Sequence, residues 1–278
     1  MPRILFCAII NLMFFKLVKC SERRHVQPLI INGEDAKIED FPHSVYIYMD
    51  CSDIWTCGSS ILNQKILLTA AHCLIHVKLC KGQLHAFAGH ENIHKAVVTR
   101  RGKSILFHEN YDRKPYLRND IGLIFLEESL PLGNTMKRVV LTKQNSVGLT
   151  AMIAGWGIIN DETKEGTFIL KSATQVVRDI RTCHLWGLRP GLMCAGSTNI
   201  DLPRPTQGDS GSALVVEKHK QIGLVSFRYP SHPGLIFYTN TSYFYDWIKD
   251  NLRLLLNYKN KYAQNEIKKN KNYYEMKY

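Results

Sequence analysis

No stretch of this sequence is both apolar enough and long enough to cross a bilayer as a helix, which takes about 20 residues. The longest candidate is ILFCAIINLMFF at 4–15, with Arg3 before it and Lys16 and Lys19 after it. A basic start, a short apolar core and a cut near Cys20 read as a secretory signal over residues 1–20, which sends the remainder out of the cell. Acidic residues are scarce as well: 24 Asp and Glu face 36 Lys and Arg, a net charge of +12. The excess sits at the ends. The signal carries +3 and the segment 253–278 carries +5, leaving +4 on residues 21–252. The body therefore lacks the basic surface that nucleic-acid binding needs. The Lys/Asn/Tyr-rich tail at 253–278 reads as a solvated, disordered end, with contact to nucleic acid, membrane or acidic glycans as the alternative.

Other features are missing. There is no helical repeat or solenoid period. The paired C-x2–4-C spacing of common zinc sites is absent, which argues against a zinc site built from Cys57, His72, Cys73 and Cys80. The stretch HAFAGHENIHK (85–95) is too poor in acids for a calcium loop. The sequence calls for no metal and no organic cofactor.

What is present is an ordinary globular composition, 45% apolar and 22% charged, which excludes wholesale disorder. Eight cysteines occur; Cys7 and Cys20 depart with the signal. The six that remain, Cys51, Cys57, Cys73, Cys80, Cys183 and Cys194, form an even set in an exported chain and point to disulfides. Between Ile30 and Tyr238, short β-rich runs recur with turn residues between them: SVYIY (44–48), KILLTA (65–70), LHAFAG (84–89), IGLIFL (121–126), TAMIAGWG (150–157), SALVV (212–216) and QIGLVSF (221–227). This spacing predicts an all-β sandwich or barrel. The end differs. SYFYDWIKDNLRLLLNY (242–258) places Phe244, Trp247, Ile248, Leu252 and Leu255 at helical spacing, so one amphipathic helix is expected, capped by Thr241 or Ser242. Asn240-Thr241-Ser242 is an N-glycosylation sequon at Asn240.

RPTQGDSGSAL (204–214) contains a serine, Ser210, in a glycine-rich turn. A serine hydroxyl is a poor nucleophile until a base takes its proton, and histidine titrates in the right range to do so. A buried carboxylate must then hold the imidazole's tautomer. LLTAAHCL (67–74) places His72 just after an apolar run, and RNDIGLIFL (118–126) places Asp120 just before one. The G-x-S-x-G elbow of α/β-hydrolases is absent, because Ser212 stands where its last glycine would be, and the order His, Asp, Ser is not theirs.

These contexts together resemble the chymotrypsin/trypsin family of serine proteases. IINGEDA (30–36), CGSSIL (57–62), GWG (155–157), MCAG (193–196), YT (238–239) and DWI (246–248) follow in the family's order, so the resemblance spans about 30–252. It implies two six-stranded antiparallel β-barrels, split near residue 135, with a C-terminal α-helix. It implies a secreted, monomeric endopeptidase in which His72, Asp120 and Ser210 form the triad and the Gly208 and Ser210 amides form the oxyanion hole. It suggests bridges Cys57–Cys73 and Cys183–Cys194, and the leftover Cys51 and Cys80 are expected to form a third. Its partners would be a protein or peptide substrate, an activating protease and protein inhibitors, with no nucleic acid and no membrane span.

Family members are activated by a cut before the residue matching Ile30, whose new ammonium pairs with the residue matching Asp209. Residues 21–29 would then be a short propeptide. Leu29 departs from the usual Arg or Lys. A protease preferring large apolar residues, a cut at Arg23-Arg24 with trimming, and no activation at all remain the alternatives. The pocket departs further. Arg204 stands where trypsins have Asp, Thr206 where a wall Cys is usual, and Phe227, after Ser226, where Trp is usual. Arg228 and Ile236 stand at two glycine positions. Arg204 or Arg228 accepting an acidic side chain, large residues filling the pocket, and a weakly catalytic or non-catalytic homologue acting as a binding or regulatory protein are the three readings. The intact triad favours an endopeptidase that is not trypsin-like.

Overall fold

The computed structural model describes residues 30–113, 117–160, 162–183 and 190–254. The signal at 1–20, the propeptide with Leu29, and the tail from residue 255 lie outside the described residues.

The first part of the chain supplies β1 (Glu34–Asp35), β2 (Ser44–Asp50), β3 (Ile54–Asn63), β4 (Ile66–Thr69), helix α1 (Ala71–Cys80), β5 (Gln83–Ala88), β6 (Val98–Phe107) and β7 (Gly122–Leu126). Strands β2 to β7 close into a barrel in the order β2-β3-β4-β7-β6-β5, antiparallel throughout. The second part supplies β8 (Val140–Leu141), β9 (Thr150–Gly155), β10 (Lys171–Arg178), β11 (Leu192–Gly196), β12 (Ala213–Val216), β13 (Lys220–Arg228) and β14 (Leu235–Asn240). Six of these run β9-β10-β11-β14-β13-β12 and close where β12 pairs with β9. The molecule is thus two six-stranded antiparallel barrels with a helix at 245–254.

Side-chain alternation explains the barrels. In β2, Val45, Ile47 and Met49 are wholly buried, while Tyr46 and Tyr48 point to the other face. In β4 and β7 every residue is buried, because one face fills the barrel and the other meets neighbouring elements. Helix α1 departs from the strand reading of its surroundings. It buries Ala71, Leu74 and Val77 at three-residue spacing, with Cys73 beside them. It ends at Lys81, whose left-handed backbone returns an N–H to the Val77 carbonyl. The last helix also starts differently from the sequence expectation. The Thr241 and Ser242 hydroxyls donate to the Gln221 and Thr142 carbonyls, and it is Asn240 Oδ1 that accepts the Ser242 and Tyr243 N–H groups.

Each end of the described region crosses to the other barrel. β1 pairs with β10, and Asp35 forms an ion pair with the buried Lys171 of that strand. At the other end, Trp247 stacks on His108 at 5.3 Å and donates its indole N–H to Glu109, both at the exit of β6.

The described cysteines form three disulfides, Cys57–Cys73, Cys183–Cys194 and Cys51–Cys80. Cys51–Cys80 ties the end of α1 to the β2–β3 turn and closes a separation of 29 residues. Loop closure on that scale is worth about 3–4 kcal/mol. Replacing both Cys51 and Cys80 with Ser should lower unfolding stability by about that amount, and urea titration at neutral pH reads it. An unchanged midpoint would show that the cross-link leaves the unfolded chain's freedom untouched.

Candidate active site

His72 stands in the first turn of α1, directly after β4. The first N–H groups of a helix have no partner within it. Here α1 has no side-chain cap at Ala70, and Asp120 fills the role instead. Its Oδ1 accepts the His72 N–H at 2.9 Å, and its Oδ2 lies 2.8 Å from His72 Nδ1. Asp120 precedes the fully buried β7 and is itself 1% exposed. It is held from the second barrel too: Ser226 Oγ donates to Oδ2 at 2.5 Å, and Thr239 Oγ1 donates to the Asp120 carbonyl at 2.7 Å. With three donors turned toward it, the Asp120 carboxylate holds the imidazole so that Nδ1 faces an acceptor and carries the proton. That leaves Nε2 of His72 as the basic nitrogen.

Ser210 lies in the turn before β12. Its carbonyl accepts from Gly58 N–H at 2.8 Å and lies 3.8 Å from Cys73 Sγ, next to His72. The structure therefore brings Ser210 to the start of α1 although 138 residues separate it from His72 in the sequence. Its hydroxyl has no hydrogen-bond partner among the described residues.

The turn around Ser210 is set by its neighbours. Gly208 has φ +95°, a conformation that side chains other than glycine's rarely permit. The Gln207 carbonyl accepts from Ile158 N–H at 2.8 Å. In a trans peptide the carbonyl and the following N–H point opposite ways, so this bond turns the Gly208 N–H into the cleft. The Gly208 and Ser210 amides donate no hydrogen bond among the described residues. Two unspent N–H groups beside a nucleophile are a site for developing negative charge on oxygen.

Asp209 points the other way, into the protein. Its carboxylate accepts from Gly157 N–H and Thr206 N–H, both at 2.8 Å. A side chain at Gly155 would overlap that carboxylate, which explains the glycines on both sides of Trp156. Burial pushes the Asp209 carboxyl up to about 6, against the opposing pull of its backbone donors. No cation pairs with it among the described residues. Ile30, the first described residue, is 1% exposed and packs in the second barrel's core with Val225 and Tyr238.

The expected specificity residues are not all together. A cavity of about 250 Å³ beside Ser210 is lined by Thr206, Val225, Ser226, Phe227, Arg228 and Ile236 among others. No Asp or Glu lines it among the described residues. Arg204 does not line it either, which corrects its placement at the pocket floor: its guanidinium donates to the Ile200 carbonyl, and it is 7% exposed. Ile236, 2% exposed, contributes to the lining instead. Asp201 is exposed and lies outside the cavity, at the Asn32 contact. Thr206 replaces a wall cysteine with a hydrogen bond from its hydroxyl to the Ile158 carbonyl at 2.5 Å. Sulfur atoms of Cys57 and Cys73 gather near His72, but they are joined to each other and offer no thiolate to a metal.

The sequence pattern described as trypsin matches residues 30–248. The chain is 28% identical to a chymotrypsin of Phaedon cochleariae over 235 residues, 79% of this chain and 81% of that protein. In structure it resembles HL collagenase, with a TM-score of 0.71 and 23% identity over 80% of this chain and 98% of the other. It also resembles a scabies mite inactivated protease paralogue, with a TM-score of 0.70 and 22% identity over 80% and 97%.

Proposed function

The chain belongs to the trypsin family of serine proteases, and from that premise we propose that it is a secreted endopeptidase that cuts peptide bonds through an acyl-enzyme on Ser210. Ser210 Oγ attacks the scissile carbonyl while His72 Nε2 takes its proton. Asp120 holds the Nδ1 proton in place and stabilises the imidazolium. The carbonyl oxygen, now an oxyanion, lodges against the Gly208 and Ser210 N–H groups. His72 then returns the proton to the leaving amine, and water releases the acyl group by the same steps in reverse roles.

The observation that carries this reading is the Ile158 N–H bond to the Gln207 carbonyl. A triad alone does not make a protease if the neighbouring peptide turns its carbonyl into the hole. Here that carbonyl is engaged elsewhere. The order of segments in the precursor is a signal at 1–20, a propeptide at 21–29, the protease at 30–252 and a basic tail. Cleavage before Ile30 would deliver an ammonium to the cation-less Asp209. Specificity is not trypsin-like, because a cavity with no carboxylate among its described lining residues has nothing to attract Lys or Arg.

A fluorophosphonate probe tests this without needing the preferred side chain. With the N-terminus fixed at Ile30, peptide mapping should find the adduct on Ser210 and none in Ser210→Ala. A folded protein that stays unlabelled would sink the enzyme reading in favour of a binding homologue.

A further inference from the structure

We infer that this chain selects its substrates mainly on the leaving-group side, through an apolar cleft that takes a large aliphatic or aromatic side chain from the residue just after the scissile bond. The inference rests on Ser210 being the nucleophile.

Two cavities flank Ser210, and Gln207 and Ser210 line both. A carbonyl seated on the Gly208 and Ser210 amides has its acyl residue on one side and its leaving nitrogen on the other. The cavity along Ser226 to Arg228 takes the acyl side. Apart from Gln207 and Ser210 the two linings share no residue, and Gly208 lines only the second cavity, which we therefore assign to the leaving group. It is the larger, about 310 Å³ against 250 Å³. Its walls are Tyr46, Ile54, Trp55, Ile93, Trp156 and Phe168, and none of the described residues lining it carries a charge.

These walls are held in place before any ligand arrives. Trp156 donates its indole N–H to the Glu91 carbonyl at 2.7 Å and meets Tyr46 edge-on at 6.0 Å. Phe168 lies 4.2 Å from the His94 ring, and its carbonyl accepts from Ile93 N–H at 3.0 Å. Trp55 stacks on His76 at 4.4 Å. Yet Ile54 is 70% exposed, Phe168 56% and Trp55 37%. Three large apolar side chains left open at one cleft, and continuous with the nucleophile, mark a contact surface. The acyl-side cavity is smaller and mixed, with Arg228 and Thr206 beside Ile236. Discrimination therefore falls to the side with more apolar surface to cover.

Acyl transfer reads the leaving-group side directly. The processed enzyme, cut before Ile30, is acylated with an activated ester of a blocked amino acid, and amino-acid amides compete with water for the acyl group. The amine lone pair attacks the acyl carbonyl, His72 takes the amine's proton, the Ser210 Oγ–carbon bond breaks, and the proton passes to Oγ. The ratio of amide product to acid product is internal to each enzyme, so overall rate drops out. Phe-amide and Leu-amide should be captured about 10-fold better than Gly-amide or Asp-amide. Phe168→Ala should reduce that preference several-fold. Equal capture of Phe-amide and Gly-amide, or best capture of Asp-amide, overturns the subsite while leaving the nucleophile intact. No ester turnover by the folded protein overturns the nucleophile reading first, and the subsite with it.

Discussion

Asp120→Asn is expected to lower kcat about 10⁴-fold while the protein stays folded, a magnitude taken from the family's well-studied triad rather than worked out for this chain. The reason is in the donor geometry. Asp120 accepts from His72 N–H, from His72 Nδ1 and from the Ser226 hydroxyl. An asparagine that keeps its oxygen on the helix N–H turns its NH2 toward Nδ1 and Ser226. Two donors cannot face each other, so His72 moves its proton to Nε2 and ceases to be a base toward Ser210. Ester hydrolysis measured across pH would show the loss, with circular dichroism to check the fold. Activity within a few-fold of the parent would mean that Asp120 serves as the cap of α1 and nothing more.

Cutting the chain before Ile30 should change how its stability depends on pH. In the uncut chain burial raises Asp209 from 3.8 to about 6. Between those values the folded state keeps a proton that the unfolded state has lost. Stability therefore falls as pH rises through this window, by about 3 kcal/mol in all. An ammonium beside the carboxylate favours its charged form and removes the penalty. The gap in unfolding free energy between cut and uncut chains should thus widen by about 3 kcal/mol from pH 4 to pH 7. His43 acts in the opposite direction. Burial, aided by His219, lowers it to about 4, so its contribution is present above 6.5 and is lost as pH falls toward 4. That effect is common to both chains and cancels in the difference. Denaturant titrations of both forms at the two pH values decide the matter, and a gap that stays constant with pH would detach Ile30 from Asp209.

Much of this site could be read from the sequence because its residues stand at the ends of strong patterns. Asp120 precedes GLIFL, His72 follows ILLT, and Ser210 sits among glycines before ALVV. Strands with alternating or wholly apolar residues were legible for the same reason. Helix α1 was not, since its run LIHVKLC mixes β-branched and apolar residues and carries little amphipathic contrast. Arg204 illustrates a different limit. Its position counted from Ser210 suggests the pocket floor, but direction depends on the backbone, which sends its side chain toward Ile200. The Gln207–Ile158 bond joins two main-chain groups and leaves no mark in residue identity. The leaving-group cleft draws Tyr46, Ile54, Ile93, Trp156 and Phe168 from several separate segments, so no local stretch announces it.

The crossing of β1 and the last helix has a further consequence. β1 belongs by sequence to the first barrel and is stitched onto the second, while the helix at 245–254 follows the second and leans on the first. A break anywhere between Leu126 and Val140 would yield not two independent halves but two interlocked pieces, each completed by a strap from its partner. The catalytic seam is closed in the manner of a crossed belt, and neither half can let go without surrendering part of itself.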